Sequence, residues 1–470
     1  MHQMRDPMSI EKKRDLILLF LTAVLVRVLF VLYLSNNGFT LEKAVSYYPD
    51  SITYTAPAEM LLDQHQFLNA DGKAEIVRTP GYPLMIAISK LLFPNQWASF
   101  LIIFQIGLNV AAVLTLYLLL TMLIPNRSAS LLACLIAVLN IHDVYFSCFI
   151  LTDSLYQSIS FIGIFFFIRF LKEFRLKDLI WSSLAFLAAL FIRPSGLFLP
   201  LLLMIALPFV IRNKFTHLVK VEAILFLIVY LPVICWGTRN ANVAGYRGFS
   251  AITEQNLYFY HAAGINAELN QTDFYTEQEN LQENPEYLQR LPTVSPETAQ
   301  RELATTAIRN NFAIYLKLNI QGMGLILIYP GTMDIFRFQP DNPDIIEPIK
   351  QAYLQGGAKS ALIELLISPI GLLTLLDVGA LIVLVLITII GTVRSFQSQL
   401  PWYIPLAILG FFLYNLGVSA GPNGFGTYPR FRLSVSLIQA LIAGFFFEWV
   451  LQRMRFVRIK YKSESAELGS

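Results

Sequence analysis

Charge is scarce in this sequence. Asp, Glu, Lys and Arg make up only 14% of its 470 residues, while 55% are hydrophobic. An average soluble domain carries about 25% charged residues, so a deficit this large, with a mean hydropathy of +0.56, excludes an ordinary soluble protein. Cysteine is nearly absent too. Cys134, Cys148 and Cys235 lie in or beside apolar runs, with no CxxC pair. That spacing excludes a disulfide framework and a cysteine metal centre, and leaves helix packing as the role of the thiols. His65, His142 and His261 are dispersed without i, i+4 spacing, so no histidine metal site is expected. No internal repeat is visible, which argues against a transporter built from inverted halves. The first apolar run lacks a small-x-small exit and is too long for a leader, so it reads as a retained signal anchor.

What is present is a succession of apolar runs long enough to cross a bilayer. The net charge of +3 says little, because the placement of Lys and Arg matters more than their sum. Glu11-Lys12-Lys13-Arg14 precedes the first run and sets the N-terminus in the cytoplasm. Basic loops at 172–178 and 212–220 and the basic tail (Arg453, Arg455, Arg458, Lys460, Lys462) then fall on the same side. The tail supports a weak preference for anionic lipid. The pattern predicts an all-α polytopic protein of the plasma (inner) membrane, with about ten spans and both termini cytoplasmic. Residues 1–236 form a transmembrane module whose first outer loop covers 35–98. Residues 237–360 form a folded outer segment with interfacial helices, too polar to span and too long for an idle loop. Residues 361–470 supply the last spans and the tail.

With this topology Asp50, Arg78, Asp153, Arg193, Arg239, Arg430 and Arg432 all lie on the outer face or at outer helix ends. Carboxylates there can handle a hydroxyl proton, and guanidiniums can grip phosphate oxygens with forked hydrogen bonds. A bland reading stands beside each. Asp50 and Asp153 fit helix N-caps equally well. Arg193 before Pro194 fits a snorkelling cation at a turn, and Arg430 and Arg432 fit interface anchors. Arg27 lies deep in the first span, where it must snorkel or meet a partner such as a carboxylate.

Several motifs match a known family in order. "YPDSITY" followed by "RTPGYPLMIAISKLLF" resembles the first outer loop of the GT-C glycosyltransferases, closest to the branch of protein O-mannosyltransferases and the lipid A aminoarabinose transferase. "DVYFSCFILTDSLYQSISFI" is similar to the second acidic motif, "FIRPSGLFLPLLL" to the Arg-Pro hinge, "WGTRNANVAGY" to the Trp-x-x-Arg-Asn motif and "YPRFRLSVSLIQAL" to the Arg-Phe-Arg entry of the last span. The resemblance implies a sugar donor on polyprenyl phosphate and inverting transfer at the outer membrane face. It implies Asp50 as catalytic base, Asp153 as a second catalytic carboxylate, and Arg78, Arg193, Arg430 and Arg432 as donor-phosphate ligands. Tyr54, Tyr82, Arg239 and Asn240, within the matched motifs, are the expected substrate-binding residues. Implied partners are the donor lipid, a glycan, lipid or protein acceptor, and membrane lipids, with no nucleic acid. No dedicated metal-ligand set is present, although some relatives use a divalent cation. Pro57 departs from the family pattern and is expected to kink or restart the helix after Asp50. Two other readings remain: a GT-C-like oligosaccharide ligase or polymerase, and a non-catalytic lipid or solute transporter.

Overall fold

The computed structural model describes residues 9–46, 50–211, 215–336, 357, 359–360, 362–421 and 428–467. Within them the chain is helical, with no strand beyond one isolated bridge between Leu68 and Ala74. Six helices are long and apolar enough to cross a membrane: Ile10–Asn36, Trp97–Leu123, Asp153–Glu173, Phe215–Ala244, Pro369–Phe396 and Tyr428–Arg455. Up to eight spans result if two bent pairs are each counted as one. Among the described residues the expected ten are not reached, because three of the apolar runs fold into shorter helices. These are Leu176–Ile192 with 17 residues, Leu199–Val210 with 12 and Tyr403–Ser419 with 17. At 1.5 Å per residue, such helices fall short of a hydrocarbon layer about 30 Å thick.

The first helix shows how this sequence suits lipid. Ile17, Leu21, Leu25, Leu29 and Leu32 are exposed, whereas Asp15 and Arg27 on the same helix are buried. Polar groups turn inward and apolar ones outward, the reverse of a soluble helix. The interior is filled by Phe161, Phe167, Phe170, Phe186 and Phe411 together with aliphatic side chains. Small residues let the helices approach. A Cβ on Gly163 would stand 2.9 Å from the Phe186 ring, and one on Gly444 would stand 2.3 Å from Leu120. Close backbone contact of this kind is how helices associate where the surroundings are themselves apolar.

The two ends of the bundle differ. At one end Asp15 takes a paired bond from Arg127, and Lys172 Nζ donates to the carbonyl of Met122 at 2.5 Å. This end gathers the loops that the charge pattern assigns to the cytoplasm. At the opposite end lie the segments that carry the sequence motifs. The expected interfacial stretch after Ser295 is two helices, Pro296–Asn310 and Phe312–Ile328, set at 97°. Phe312, Leu316 and Ile320 leave one apolar stripe of the second helix exposed. For the helix after Asp50, one of the two expectations for Pro57, a restart, is not met. It runs unbroken from Asp50 to Gln64 with Pro57 buried inside it, so no restart occurs.

Candidate active site

The stretch around Arg78 owes its position to its neighbours. Arg239 donates to the carbonyls of Glu75 at 2.6 Å and Phe67 at 3.0 Å, and Ser250 Oγ donates to the Val77 carbonyl at 2.5 Å. Asn240 in turn donates to the carbonyls of Gly248 and Phe249 at 2.9 and 3.1 Å. Glu75 Oε1 then accepts the N–H groups of Val77 and Arg78, at 2.6 and 2.8 Å. The Thr-Pro-Gly-Tyr-Pro sequence that follows must pass close to another helix end. A Cβ on Gly81 would meet the Phe191 carbonyl oxygen at 2.6 Å, so glycine allows this approach. The contact sets Arg78 near the hinge that carries Arg193. That hinge is one tight turn over Pro194–Gly196, held by Tyr414, whose hydroxyl donates to the Ser195 carbonyl at 2.6 Å.

Asp50 and Asp153 are first residues of their helices, a place where the helix dipole favours a carboxylate. Ser51 Oγ donates to the Ile150 carbonyl at 2.9 Å, which docks the first of these helices against the turn before the second. The two acids then face the arginines. Arg78 Nη2 donates to Asp50 Oδ1 at 2.9 Å, and Arg430 Nη1 donates to Asp50 Oδ2 at 2.5 Å. Arg430 also donates through Nε to Asp153 Oδ2 at 2.6 Å, and Arg193 bonds the other oxygen of Asp153. The result is an unbroken chain, Arg78–Asp50–Arg430–Asp153–Arg193, drawn from four distant parts of the sequence.

Three guanidiniums meet two carboxylates in this chain. Burial works against the charge on Asp50, but Arg430 and Arg78 outweigh it and hold the acid well below the ordinary carboxylate range. Asp153 is more enclosed, its side chain 3% exposed against 22% for Asp50. Asp50 is therefore the carboxylate that a solute can reach.

The remaining predicted residues divide. Tyr54 adjoins the chain: its hydroxyl accepts from Arg78 Nη1 at 3.1 Å, and its ring lies 4.6 Å beneath that guanidinium. Tyr82 lies behind Tyr54, edge-on at 5.2 Å, fully buried and donating to Gln105. Arg239 and Asn240 brace backbone carbonyls, as described above. Arg432 turns away from the chain and donates to the carbonyl of Tyr329 at 2.7 Å. Arg27, for which snorkelling or a carboxylate partner was expected, is buried and donates to the side-chain oxygen of Asn109 and to the Ala23 carbonyl. Sequence reasoning passed over Glu75, which fixes the Arg78 backbone. Its one signal was the placement of an acid three residues before the arginine. It also passed over Tyr260, whose hydroxyl is raised by burial and, next, by the charge on Asp50. Among the described residues no three His, Cys, Asp or Glu side chains converge to hold a metal ion.

No family model matches the sequence, and no curated protein matches it. Solved structures do. The archaeal oligosaccharyltransferase AglB from Archaeoglobus fulgidus, solved with an inhibitory peptide and a dolichol-phosphate, superposes with a TM-score of 0.50 at 13% identity. The match covers 97% of this chain and 52% of AglB, so the chain spans about half the length of that enzyme. The fold is of the GT-C type. ArnT from Cupriavidus metallidurans in the apo state also matches, with a TM-score of 0.35 at 12% identity, over 89% of this chain and 77% of ArnT. At 13% identity the match to AglB shows a shared fold alone, and activity has to be argued from the site.

Proposed function

We propose that this GT-C-fold chain is an integral membrane glycosyltransferase that moves a sugar from a polyprenyl-phosphate carrier to an acceptor at the outer membrane face. The observation that carries this reading is the chain Arg78–Asp50–Arg430–Asp153–Arg193, in which, among the described residues, three guanidiniums meet two carboxylates. A buried surplus of positive charge is satisfied by an anion, and a phosphate diester suits forked guanidinium donors. The side follows from the positive-inside pattern of the loops at the opposite end.

In this reading the arginines exchange carboxylate oxygens for phosphate oxygens when the donor binds. Asp50 loses part of the attraction that holds it ionised, and its affinity for a proton rises toward the ordinary range. The acceptor hydroxyl attacks the anomeric carbon from the face opposite the phosphate. The new C–O bond forms as the bond to phosphate breaks, which inverts the centre. The hydroxyl proton passes to Asp50, and the departing polyprenyl phosphate keeps the bonding electrons while Arg430, Arg78 and Arg193 balance its charge. Asp153 acts through Arg430 and Arg193, holding both in place.

The test is Asp50→Asn in purified enzyme reconstituted into lipid. A positioned base contributes about 10²- to 10⁴-fold. Transfer from a polyprenyl-phosphate-sugar should fall by that factor, while binding of a polyprenyl monophosphate persists. Turnover within threefold of the parent would remove Asp50 as base.

A further inference from the structure

The turn between the Ile141–Ser147 helix and the helix that Asp153 begins is out of solvent, every residue from Ser147 to Thr152 being buried. An irregular turn inside an apolar bundle has backbone carbonyls that neither water nor a helix ladder satisfies, and each is costly if left unpaired. One side chain meets two of them. Gln105 Nε2 donates to the carbonyls of Ser147 and Phe149, at 3.2 and 2.9 Å. Gln105 is itself fully buried within the Trp97–Leu123 span, where a polar side chain is expensive. Its amide can point only one way. Carbonyls accept and do not donate, so the NH₂ end must face the turn. The Tyr82 hydroxyl donates to Gln105 Oε1 at 2.7 Å and holds the amide in that sense.

The same turn carries both carboxylates of the ionic chain. Asp153 begins the helix that follows Thr152. Asp50 is tied in through its neighbour, because Ser51 Oγ donates to the carbonyl of Ile150, the residue after Phe149. Tyr54, about one helical turn beyond Asp50, sets its hydroxyl 3.4 Å from Thr152 Oγ1 and accepts from Arg78 with the same oxygen. Gln105 thus grips the turn at 147 and 149, and the helix of Asp50 rests on it at 150 and 152. Planar peptide units leave two soft torsions per residue, so carbonyls this close in the chain move together. A shift of the turn therefore displaces Asp50 relative to Asp153, and both share Arg430. The guanidiniums are held from elsewhere: Arg78 by the loop that Glu75 and Arg239 brace, Arg430 by its own helix. Gln105 bears on the acids more than on the arginines.

We infer that Gln105 is a positioning residue for the transfer: it touches no substrate, and it sets the base Asp50 against Asp153 by fixing the turn on which both depend. Tyr82 serves the same end by orienting the amide. This rests on the transferase reading above and adds to it the group that places the base.

The experiment uses the full chain in lipid nanodiscs. It measures turnover with a panel of polyprenyl-phosphate hexoses and pentoses, affinity for a polyprenyl monophosphate, and amide hydrogen exchange. Gln105→Met keeps the side-chain length and deletes all three bonds. Its kcat should fall at least tenfold through misplacement of the base, while donor KM and polyprenyl monophosphate affinity stay within threefold. Exchange should quicken in the Asp50–Gln64 helix as well as at 147–153, although the bonds of Gln105 go to Tyr82 and the turn. Ser51→Ala should lower kcat about threefold alone and add nothing to Gln105→Met, because both act through one turn. Tyr82→Phe keeps both carbonyl bonds; it should give a smaller loss of the same kind, and it carries the test if Gln105→Met does not fold. Turnover within twofold of the parent in the variants would overturn the inference. So would phosphate affinity lost in step with turnover, exchange confined to 147–149, or additive losses in the double variant. If the parent chain binds no polyprenyl monophosphate and transfers none of these sugars, yet exchange spreads to the Asp50–Gln64 helix, the transferase reading fails and the brace stands.

Discussion

Both ends of this bundle hold buried carboxylates against arginines, yet the two arrangements differ in kind. At the end opposite the candidate site, Asp15 takes its paired bond from Arg127, with the Tyr117 hydroxyl donating to the same carboxylate at 2.5 Å. Asp178 faces Arg169 at 2.7 Å. Each of these acids has one arginine of its own, which it shares with no second acid. At the candidate site each acid has two arginines, Arg430 is shared between them, and the participants are up to 380 residues apart. The first pattern fastens helix ends. The second leaves more guanidinium than carboxylate, so its bonds can be exchanged for those of an incoming anion. Arginine–carboxylate pairs alone do not mark a site; a shared arginine with surplus charge does.

The sharpest way to break this contrast is at Arg430. Arg430→Ala removes the one group that touches both carboxylates. If it also faces the phosphate, transfer should fall by about 10²- to 10³-fold, the usual loss for one donor aimed at developing charge. Arg430→Lys keeps the charge without the fork, so it should recover only part of the rate. Steady-state transfer in proteoliposomes measures both. Full activity in Arg430→Lys would mean that charge alone, without shared geometry, is what the site uses.

Asp15→Asn probes the other end. It leaves Arg127 with an amide where a buried carboxylate stood, and loss of a charged hydrogen bond costs about 1.5–3 kcal/mol. The yield of folded protein and its thermal midpoint should drop, while turnover per folded molecule is unchanged. A loss of turnover matching that of Asp50→Asn would erase the distinction between the two ends.

Much of the site was legible because membrane topology is written in charge. Basic loops on one side force the remaining charges to the other, and that reasoning brought Asp50, Arg78, Asp153, Arg193 and Arg430 to one face before any contact was known. It could not tell Arg430 from Arg432. Two residues apart on a helix point in nearly opposite directions, and only packing decides which one meets Asp50. The interior was the least legible region. Asp143 accepts from Gln157 at 2.8 Å and Ser436 at 2.7 Å, and His142 meets Asp377 at 3.2 Å. Their partners are 14 to 293 residues away, and no spacing rule connects them. The count of ten spans is unconfirmed for another reason: hydropathy registers apolar runs, but Arg193-Pro194 and Ile211 end helices too early for those runs to cross alone.

A smaller effect separates residues that touch the reacting groups from those that hold the loop. Arg239 bonds two backbone carbonyls of the loop that carries Arg78. Arg239→Ala should loosen residues 67–78, seen as faster amide hydrogen exchange there, and lower transfer about tenfold through mispositioning. Arg239→Lys can restore one of the two bonds and should regain part of both. Unchanged exchange with lost transfer would instead put Arg239 on the substrate.

The gentlest test concerns pH and the segment around His261. His261 is half-buried against Tyr315, with its ring next to Gly421, and loss of solvent around the ring lowers its pKa to about 4 from an ordinary 6.5. The folded state thus prefers the neutral ring, and the unfolded state binds the proton first as pH falls. The sign follows from linkage: this contribution to stability is complete above about 6.5 and is lost progressively as pH drops toward 4. Asp50 behaves differently, since its lowered pKa keeps the ionic chain intact across the same window. Between pH 7 and 4.5, amide exchange in residues 252–310 should therefore accelerate while donor-phosphate binding holds. His261→Phe should flatten the exchange profile, because the ring's Nδ1 is buried without a hydrogen-bond partner and nothing is left unpaired by its removal. If the pH slope survives in that variant, a different group controls the segment. If phosphate binding weakens in step with it, the two regions are coupled.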